Sequence, residues 1–359
     1  MHSEIIPVAL PGREYEVHVG AGLLAGTGSI AARVRKPGKC AILADSNTAP
    51  LFATKLAASL KDAGFAPALI EVPAGESSKS LSHAESCCDA MIRAGLDRQA
   101  ILFALGGGVV GDLGGFVSAI FYRGIPYVQI PTTIVAQVDS SVGGKTGVNS
   151  NLGKNLIGAF HQPAAVIADT ATLATLPDRE FNEGFAEVVK HAVIRDAAML
   201  DLLPPDRKGD LAALIARNVR IKADIVAADE KETRGLRALL NFGHTIGHAI
   251  ENAAGYGKYF HGEAISLGTV AALWLSVRQA GLSEAEMEAV VAKLQAFQLP
   301  TRLGAEMDET QILAAMGTDK KFEAGAIRFV LTPKLGEAFV SNDVSRDSIG
   351  EAIRFLKKL

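Results

Sequence analysis

The chain has 359 residues, more than one hydrophobic core usually contains, so we expect two domains. With 48% hydrophobic and 21% charged residues, the composition excludes a disordered chain. The net charge of −3 provides no basic field for nucleic acid, no apolar run is long enough to span a membrane, and three cysteines without a secretory signal indicate a cytoplasmic protein.

The first half of the chain alternates strand-like and helical segments. IIPVAL and YEVHVG predict a short antiparallel pair at a sheet edge, and further strand candidates are CAILAD, APALIEV, AILFAL, YVQIPTT and AVIAD. Between these strands, apolar residues recur at helical spacing over residues 51–63 and in SKSLSHAESCCDAMIRAG. Because continuous apolar strands that alternate with helices form buried parallel sheets, we predict a Rossmann-like α/β domain with a mostly parallel sheet over residues 1–172.

The second half is mostly helical in pattern. Helices are predicted over residues 180–195, 211–228, 236–253, 263–280 and 283–297. A small hairpin over 326–340 and a closing helix over 344–358 follow. We therefore predict a helical domain over residues 173–359.

A run of glycines follows the AILFAL strand. Gly106, Gly108 and Gly111 fit the G-x-G-x-x-G spacing of dinucleotide-binding turns, in which the N-terminus of a helix holds a pyrophosphate. The acidic ribose ligand usually found about twenty residues downstream is missing, and Asp45, at the end of an earlier strand, is a substitute candidate. The alternative is that these glycines only allow tight packing of helix against strand.

Several basic residues beside glycines or turns suggest further anion sites. They are Arg123, Lys145 and Lys154. Lys145, in SVGGKTGVN, resembles a P-loop fragment, but position 139 is Asp where a P-loop has glycine, so a P-loop NTPase is disfavoured. A lysine can still bind phosphate as a point charge, and the alternative for each is a solvated loop residue.

The helical half carries histidines and carboxylates at helical spacing. His244 and His248 are four residues apart, so they would share one face of a helix. Histidine nitrogens and a carboxylate form a zinc site that leaves one position open for a substrate oxygen. Spacing alone leaves the ligands open among six residues, namely Glu187, His191, His244, His248, His261 and Glu263.

Six segments are similar, in order and spacing, to the motifs of the 3-dehydroquinate synthase family. They are GGGVVGDLGGF, YRGIPYVQIPTTIVAQVDSSVGGKTGVN, GKNLIGAFHQP, GFAEVVKH, LRALLNFGHTIGHAIE and HGEAIS. The resemblance implies a lyase of the shikimate pathway, which leads to chorismate and the aromatic amino acids. Such an enzyme converts 3-deoxy-D-arabino-heptulosonate 7-phosphate to 3-dehydroquinate and phosphate by transient oxidation, elimination, re-reduction and intramolecular aldol reaction. The resemblance also implies NAD⁺, a divalent metal (zinc or cobalt) and a homodimer.

The resemblance further implies a role for particular residues. It selects Glu187, His244 and His261 as metal ligands and moves His248 to the substrate site. For NAD the matching residues are Asp45, Glu76, Lys79, Gly108, Val109, Val110, Gly111, Asp112, Thr132, Thr133, Lys145, Lys154, Thr172, Leu173, Ala174 and Thr175. For substrate and catalysis they are Asp139, Lys145, Asn155, Lys190, Lys222, Arg237, Asn241, His248 and Lys320 (or Lys321), with Arg123 matching an arginine that reaches the neighbouring subunit's site.

Other functions fit the same two-domain plan. A related sugar phosphate cyclase would act on a different sugar phosphate, but Lys222, Arg237 and Asn241 favour a carboxylated substrate. A metal-dependent polyol dehydrogenase would need no cluster of phosphate-binding residues and would accumulate NADH. A non-catalytic metal or nucleotide sensor would not need the acid–base residues.

Overall fold

The computed structural model describes residues 3–204, 211–255, 257–316, 322–323 and 326–359. The chain divides into two compact units, residues 1–176 with 210–227, and residues 177–209 with 228–359. No helix in the described part of the chain has both the length and the apolar character needed to cross a bilayer.

The strands and helices alternate in the first half, and helices dominate the second. The strands are β1 (Glu4–Val8), β2 (Tyr15–Gly20), β3 (Lys39–Asp45), β4 (Ala66–Val72), β5 (Ile101–Gly106), β6 (Tyr127–Pro131), β7 (Lys145–Ser150), β8 (Gly153–Phe160), β9 (Ala165–Asp169), β10 (Phe322–Glu323), β11 (Ala326–Ile327), β12 (Phe329–Lys334) and β13 (Glu337–Ser341). The helices are α1 (Thr27–Val34), α2 (Thr54–Asp62), α3 (Leu81–Arg93), α4 (Gly108–Ile120), α5 (Asp178–Glu183), α6 (Phe185–Arg195), α7 (Leu211–Ala228), α8 (His244–Ala254), α9 (His261–Gln279), α10 (Glu284–Ala296), α11 (Glu309–Met316) and α12 (Arg346–Lys358).

Seven strands of the first unit form one sheet in the order β1-β2-β9-β6-β5-β3-β4. The β1–β2 pair is antiparallel and the other neighbours are parallel. Every residue of β5, β6 and β9 is buried, because helices α3 and α4 pack on one face of the sheet and α1 and α2 on the other. The predicted Rossmann-like sheet, with its antiparallel edge, is confirmed.

Glycines inside α4 let this helix lie close to the sheet. A β-carbon on Gly114 would lie 2.8 Å from the Ala104 β-carbon, and one on Gly111 would lie 2.5 Å from the Gln129 side-chain oxygen. Both distances are too short for a larger residue without movement of the helix. At these two positions, tight packing therefore accounts for the glycine.

The β7–β8 hairpin is not predicted from the sequence, where its glycines indicate turns. A β-carbon on Gly158 would lie 2.2 Å from the Thr146 carbonyl oxygen, and one on Gly147 would lie 2.6 Å from the Ile157 carbonyl oxygen. These two glycines therefore let the two strands approach. A separate turn precedes β7, where Gly143 and Gly144 have positive φ, so Lys145 begins the strand directly after a turn.

Helix α7 differs from the sequence-based assignment. The sequence predicts its bounds but places it in the second domain, whereas its contacts place it in the first unit. Its Arg220 pairs with Glu4 of β1, and its Lys222 pairs with Asp139. A single boundary between residues 172 and 173 leaves no place for a helix that returns to the first unit. The sequence could not predict this return, because helical periodicity carries no information on which unit a helix packs against.

In the second unit, the helix predicted over residues 236–253 is broken. A short turn (Arg237–Asn241) is followed by Gly243, with φ +77°, and α8 begins at His244. A β-carbon on Gly243 would lie 2.7 Å from Thr269 Oγ1 and 2.8 Å from the Thr269 backbone nitrogen, because α9 packs against this point. The helix predicted over 180–195 is similarly divided into α5 and α6.

We expect Gly243→Ala to destabilise the protein more than Gly12→Ala. Both glycines have a positive φ, +77° and +75°, so both alanines carry left-handed strain of about 1–2 kcal/mol, but a β-carbon at Gly12 meets open space. The contact with Thr269 adds a further overpacking cost of about 1–3 kcal/mol at Gly243 alone. Scanning calorimetry of the two variants measures the difference, and equal unfolding temperatures would contradict the steric account of the break.

Candidate active site

The N-terminus of α4 forms a backbone anion site at the end of β5. Gly107 precedes the helix, and its carbonyl accepts the first intrahelical hydrogen bond, from the Gly111 N–H at 3.0 Å. The amides of Gly108, Val109 and Val110 come before that bond, so they point out of the positive end of the helix. This arrangement suits a pyrophosphate.

Polar groups at the ends of neighbouring strands extend this site. The Thr132 N–H donates to the Gly106 carbonyl at 3.0 Å, and the buried Thr132 hydroxyl has no hydrogen-bond partner among the described residues. A buried hydroxyl without a partner is costly, so its position fits a bound ligand. Asp45 ends β3, and its Oδ1 accepts N–H bonds from Asn47 and Thr48 at 2.9 and 2.8 Å. Part of the Asp45 carboxylate is therefore structural.

The Thr172–Thr175 segment lies in a short turn (Thr170–Thr175) after β9. The buried Thr172 hydroxyl donates to the Asp169 carbonyl at 2.7 Å, while Ala174 and Thr175 are exposed. Leu173 is buried. A ligand could therefore contact this turn through Ala174 or Thr175, but the Thr172 hydroxyl already holds the turn itself.

A buried lysine connects several predicted site residues of the first unit. Lys79 is 5% exposed, and its Nζ lies 2.7 Å from Asp112 Oδ2 and donates to Asn155 Oδ1. Burial raises the pKa of Asp112 above its usual value, although Lys79 opposes the shift. Glu76 lies at the edge of this group, 3.8 Å from Lys79 Nζ. The structure thus brings together residues that the sequence assigns to NAD and to substrate.

A second ion pair holds Lys222 against Asp139. Lys222 Nζ lies 2.7 Å from Asp139 Oδ1 and donates to the Asp139 carbonyl at 2.6 Å. Lys145 is exposed and Lys154 is half-buried. Arg123 is exposed as well, in a left-handed conformation with φ +68°.

Three side chains that could hold a metal ion converge in the second unit. Glu187, on α6, is fully buried, and His244 and His261 are the first residues of α8 and α9. Glu187 Oε1 lies 3.4 Å from His244 Nε2 and 3.0 Å from His261 Nε2, and one ligand atom from each residue lies within 4.8 Å of the others. Ligands of a tetrahedral zinc ion are about 3.3–3.6 Å apart, so the set fits a divalent metal.

The surroundings of these three residues also suit metal binding. His244 Nδ1 lies 3.0 Å from the Phe242 carbonyl, a bond that leaves Nε2 to face Glu187. Lys190 Nζ forms an ion pair with Glu187 Oε2. Although burial favours the neutral carboxyl, Lys190 and then His244 hold the pKa of Glu187 well below its usual value. Burial lowers the pKa of His244, which favours the neutral imidazole that a metal ligand requires.

The other residues with suitable spacing have different surroundings. The Glu263 carboxylate is bound by Arg179 at 2.6 and 2.8 Å and accepts the Phe260 N–H at 2.9 Å. His248 is exposed, with its ring centre 5.2 Å from that of His244. His191 is buried on α6. Glu183 lies near the cluster, where burial raises its pKa to about 7.

Arg237 and Asn241 lie in the short turn before α8. Arg237 is 3% exposed, and its guanidinium donates to the Glu230 carbonyl. Asn241 donates to Glu232 Oε1 at 3.2 Å. Lys320 and Lys321 lie outside the described residues.

Two family models match consecutive parts of the chain. The 3-dehydroquinate synthase N-terminal model matches residues 69–183, and the 3-dehydroquinate synthase C-terminal model matches residues 184–322. The chain belongs to the 3-dehydroquinate synthase family. The resemblance found in the sequence motifs is thereby confirmed.

Relatives of this family match almost the full chain. The 3-dehydroquinate synthase of Symbiobacterium thermophilum is 46% identical over 96% of this chain and 98% of its own length. That of Acidithiobacillus ferrooxidans is 46% identical over 97% of this chain and 96% of its own. Among solved structures, the 2-epi-5-epi-valiolone synthase of Streptomyces hygroscopicus subsp. jinggangensis, with NAD⁺ and Zn²⁺ bound, is 30% identical, with a TM-score of 0.86 over 96% of this chain and 97% of that one.

Several polar residues that organise the site were missed from the sequence. Asp169 accepts N–H bonds from Gly22 and Leu24 at 2.7 and 2.9 Å. Asp229 Oδ1 accepts the Thr233 N–H at 2.8 Å, and its Oδ2 accepts the Arg237 N–H at 3.1 Å. Both bind backbone amides, so no motif of side chains marks them. An Asp at the end of a strand or helix, before a polar turn, was the available signal.

We expect Asp229→Asn to lower the unfolding temperature at neutral pH. Burial opposes ionisation, but N–H bonds from Arg234, Arg237 and Thr233 lower the pKa of Asp229. A lowered carboxyl pKa stabilises the fold above the unfolded pKa of about 3.9, and that stabilisation is lost as the pH falls through the folded pKa. The difference in unfolding temperature between variant and wild type, measured by scanning calorimetry, should therefore become smaller below about pH 4.

Asp308→Asn serves as the matched control. Asp308 is exposed, and it accepts an N–H bond from Thr310 at 2.8 Å. Its substitution should change the unfolding temperature less than Asp229→Asn does. An Asp229→Asn effect that is no larger, or that does not vary with pH, would contradict the role given to Asp229.

Proposed function

We propose that this chain converts 3-deoxy-D-arabino-heptulosonate 7-phosphate to 3-dehydroquinate and phosphate. The observation that carries the proposal is the buried cluster of Glu187, His244 and His261 in a chain of the 3-dehydroquinate synthase family. The reaction combines oxidation, phosphate elimination, re-reduction and an intramolecular aldol reaction, with no net redox change. It belongs to the shikimate pathway.

The cofactors of this reaction are NAD⁺ and a divalent metal, zinc or cobalt. When bound, NAD⁺ accepts a hydride and returns it, and the metal acts as a Lewis acid on the substrate hydroxyls. Glu187, His244 and His261 would hold the metal. The amides of Gly108, Val109 and Val110, with Thr132 and Asp45, would hold the dinucleotide, because they combine a helix N-terminus, an unpaired hydroxyl and an acid for the ribose.

Residues of the second unit would bind the rest of the substrate. Arg237 can clasp a carboxylate through two parallel hydrogen bonds, as a guanidinium does in other proteins. Lys190 forms an ion pair with Glu187 and could donate a hydrogen bond to a substrate oxygen as negative charge develops there. His248 is exposed beside His244 and could donate to the phosphate.

Residues of the first unit would bind the phosphate. Lys145 and Asn155 provide a positive charge and an amide, both exposed. Lys222 and Asp139 form an ion pair that fixes both side chains, so each could bind substrate hydroxyls in a defined position. Because a rigidly held phosphate presents its own oxygens to the neighbouring carbon, it could serve as the base for its own elimination.

We also propose a cytoplasmic homodimer in which Arg123 reaches the partner's site. Tyr122 and Arg123 both have positive φ, 48° and 68°, and such conformations in consecutive non-glycine residues are costly. Arg123 lies just after the end of α4, and its side chain is exposed. In terms of domains, residues 1–172 with α7 would bind NAD, and the rest of 173–359 would bind metal and substrate.

A turnover assay tests the proposed function. The protein is first treated with a chelator to remove bound metal. It is then incubated with the heptulosonate phosphate and zinc, and with NAD⁺ at a concentration far below that of the substrate. The released phosphate and the absorbance of NADH are measured over time. We expect many turnovers per NAD⁺, no accumulated NADH, and loss of activity when zinc is omitted. Without the Lewis acid the rate should fall at least about a hundredfold, because metal polarisation contributes several kcal/mol.

The alternatives predict different outcomes of the same assay. NADH that accumulates in proportion to a simple polyol such as glycerol would indicate a polyol dehydrogenase. Phosphate release from a sugar phosphate without a carboxylate, and not from the heptulosonate, would indicate a related cyclase. Either result would contradict the proposal.

A further inference from the structure

Asn149 lies at an irregular position of the β7–β8 hairpin. Val148 pairs with Ile157 and Ser150 pairs with Gly153, so Asn149 opposes the three residues 154–156. In a regular ladder of backbone hydrogen bonds, one residue cannot pair with three. Such bulges are common next to functional sites. The side chain of Asn149 therefore takes over bonds that the ladder does not form.

Both ends of the Asn149 amide are used. Its Oδ1 accepts the Asn155 N–H at 2.9 Å, and its Nδ2 donates to Glu76 Oε1 at 2.7 Å. The opposite orientation of the amide would place NH₂ against an N–H donor, so these partners fix the assignment. The Asn149 backbone N–H also donates to the Lys79 carbonyl at 2.8 Å.

These bonds form part of a closed ring of polar contacts. From Asn149 the ring runs to Glu76, then across 3.8 Å to Lys79 Nζ, then to Asn155 Oδ1 and back through the Asn155 N–H. Asn155 has φ +56°, in the left-handed region that an asparagine adopts when hydrogen bonds hold it. Asp112 anchors the ring through Lys79 at 2.7 Å.

We propose that Asn149 is a positioning residue that fixes the NAD-binding and the phosphate-binding side chains of the first unit to each other. On one side it orients Glu76, and on the other it holds Asn155 with its amide in place. The inference rests on the proposed function, in which Glu76 contacts NAD and Asn155 contacts phosphate. Asn149 itself acts only through these two neighbours.

Affinities for NAD⁺ and for inorganic phosphate, measured by titration calorimetry on the full-length zinc-loaded protein, test this role. Removing a hydrogen bond costs on the order of a few-fold to tenfold in an equilibrium constant, so we expect Asn149→Ala to weaken both ligands about three- to tenfold. Ser150→Ala is the matched control, since Ser150 is the next residue of the same hairpin and its Oγ accepts the N–H of neighbouring Leu152 at 3.1 Å. It should leave both affinities within about twofold of wild type.

A double-mutant cycle separates positioning from a general structural role. In the Glu76→Ala background, Asn149→Ala should change the NAD⁺ affinity by less than about twofold, because the group through which it acts is gone. Its effect on phosphate should remain about three- to tenfold, because that effect passes through Asn155. A residue that merely stabilised the fold would weaken both ligands equally in both backgrounds.

The outcomes distinguish this inference from the proposed function. The inference would be overturned if the Asn149→Ala variant bound both ligands as tightly as wild type. It would also be overturned if the substitution lowered the NAD⁺ affinity equally in the two backgrounds. Both conclusions hold even if the wild-type protein catalyses the proposed reaction. Wild-type protein that fails to turn over, yet shows the expected cycle, would contradict the proposed function alone. Should Asn149→Ala not fold, Asn149→Ser gives the same readout, because a hydroxyl is too short to bind both Glu76 and Asn155.

Discussion

The second unit depends on one buried carboxylate, that of Glu187. Its side chain is fully enclosed, and an ionised carboxylate without partners would be very unfavourable in the interior. Lys190, one turn later on α6, and the two histidines that begin α8 and α9 provide those partners. Three helices must therefore meet at one point, and Gly243 provides the break that brings the start of α8 there. The same meeting of helices places Glu187, His244 and His261 where they could hold a divalent metal.

The first unit divides its glycines and charges between architecture and ligand binding. Gly111 and Gly114 allow α4 to pack on the sheet, whereas Gly107 and Gly108 leave helix amides accessible at the end of β5. Lys79, almost fully buried, joins Asp112 to Asn155. The sequence motif thus combines packing residues with candidate binding residues, and only the three-dimensional structure separates the two.

Much of the fold could be predicted from the sequence. Continuous apolar strands such as AILFAL are buried on both faces, so their composition directly reflects their position. The β7–β8 hairpin could not be predicted, because Gly147 and Gly158 are there to admit a neighbouring backbone, which a local pattern does not reveal. The break at Gly243 could not be predicted for the same reason, since it depends on the close approach of Thr269 on another helix.

The site was predictable in part. Helical spacing nominated His244 but paired it with His248, whereas the partners that the structure places against it are distant in sequence, and family motifs were needed to select Glu187 and His261. Asn149, Asp169 and Asp229 act on backbone amides, so their roles depend on how loops close. Which unit α7 joins likewise depends on pairs such as Lys222 with Asp139, whose members are 83 residues apart.

Anomalous diffraction from crystals of the zinc-loaded protein tests the central claim most directly. Data collected on both sides of the zinc absorption edge locate the ion without reference to activity. The account predicts a zinc ion bound by Glu187 Oε1, His244 Nε2 and His261 Nε2 at about 2.0–2.2 Å. A fully occupied ion bound elsewhere, with no ion at these three side chains, would contradict it.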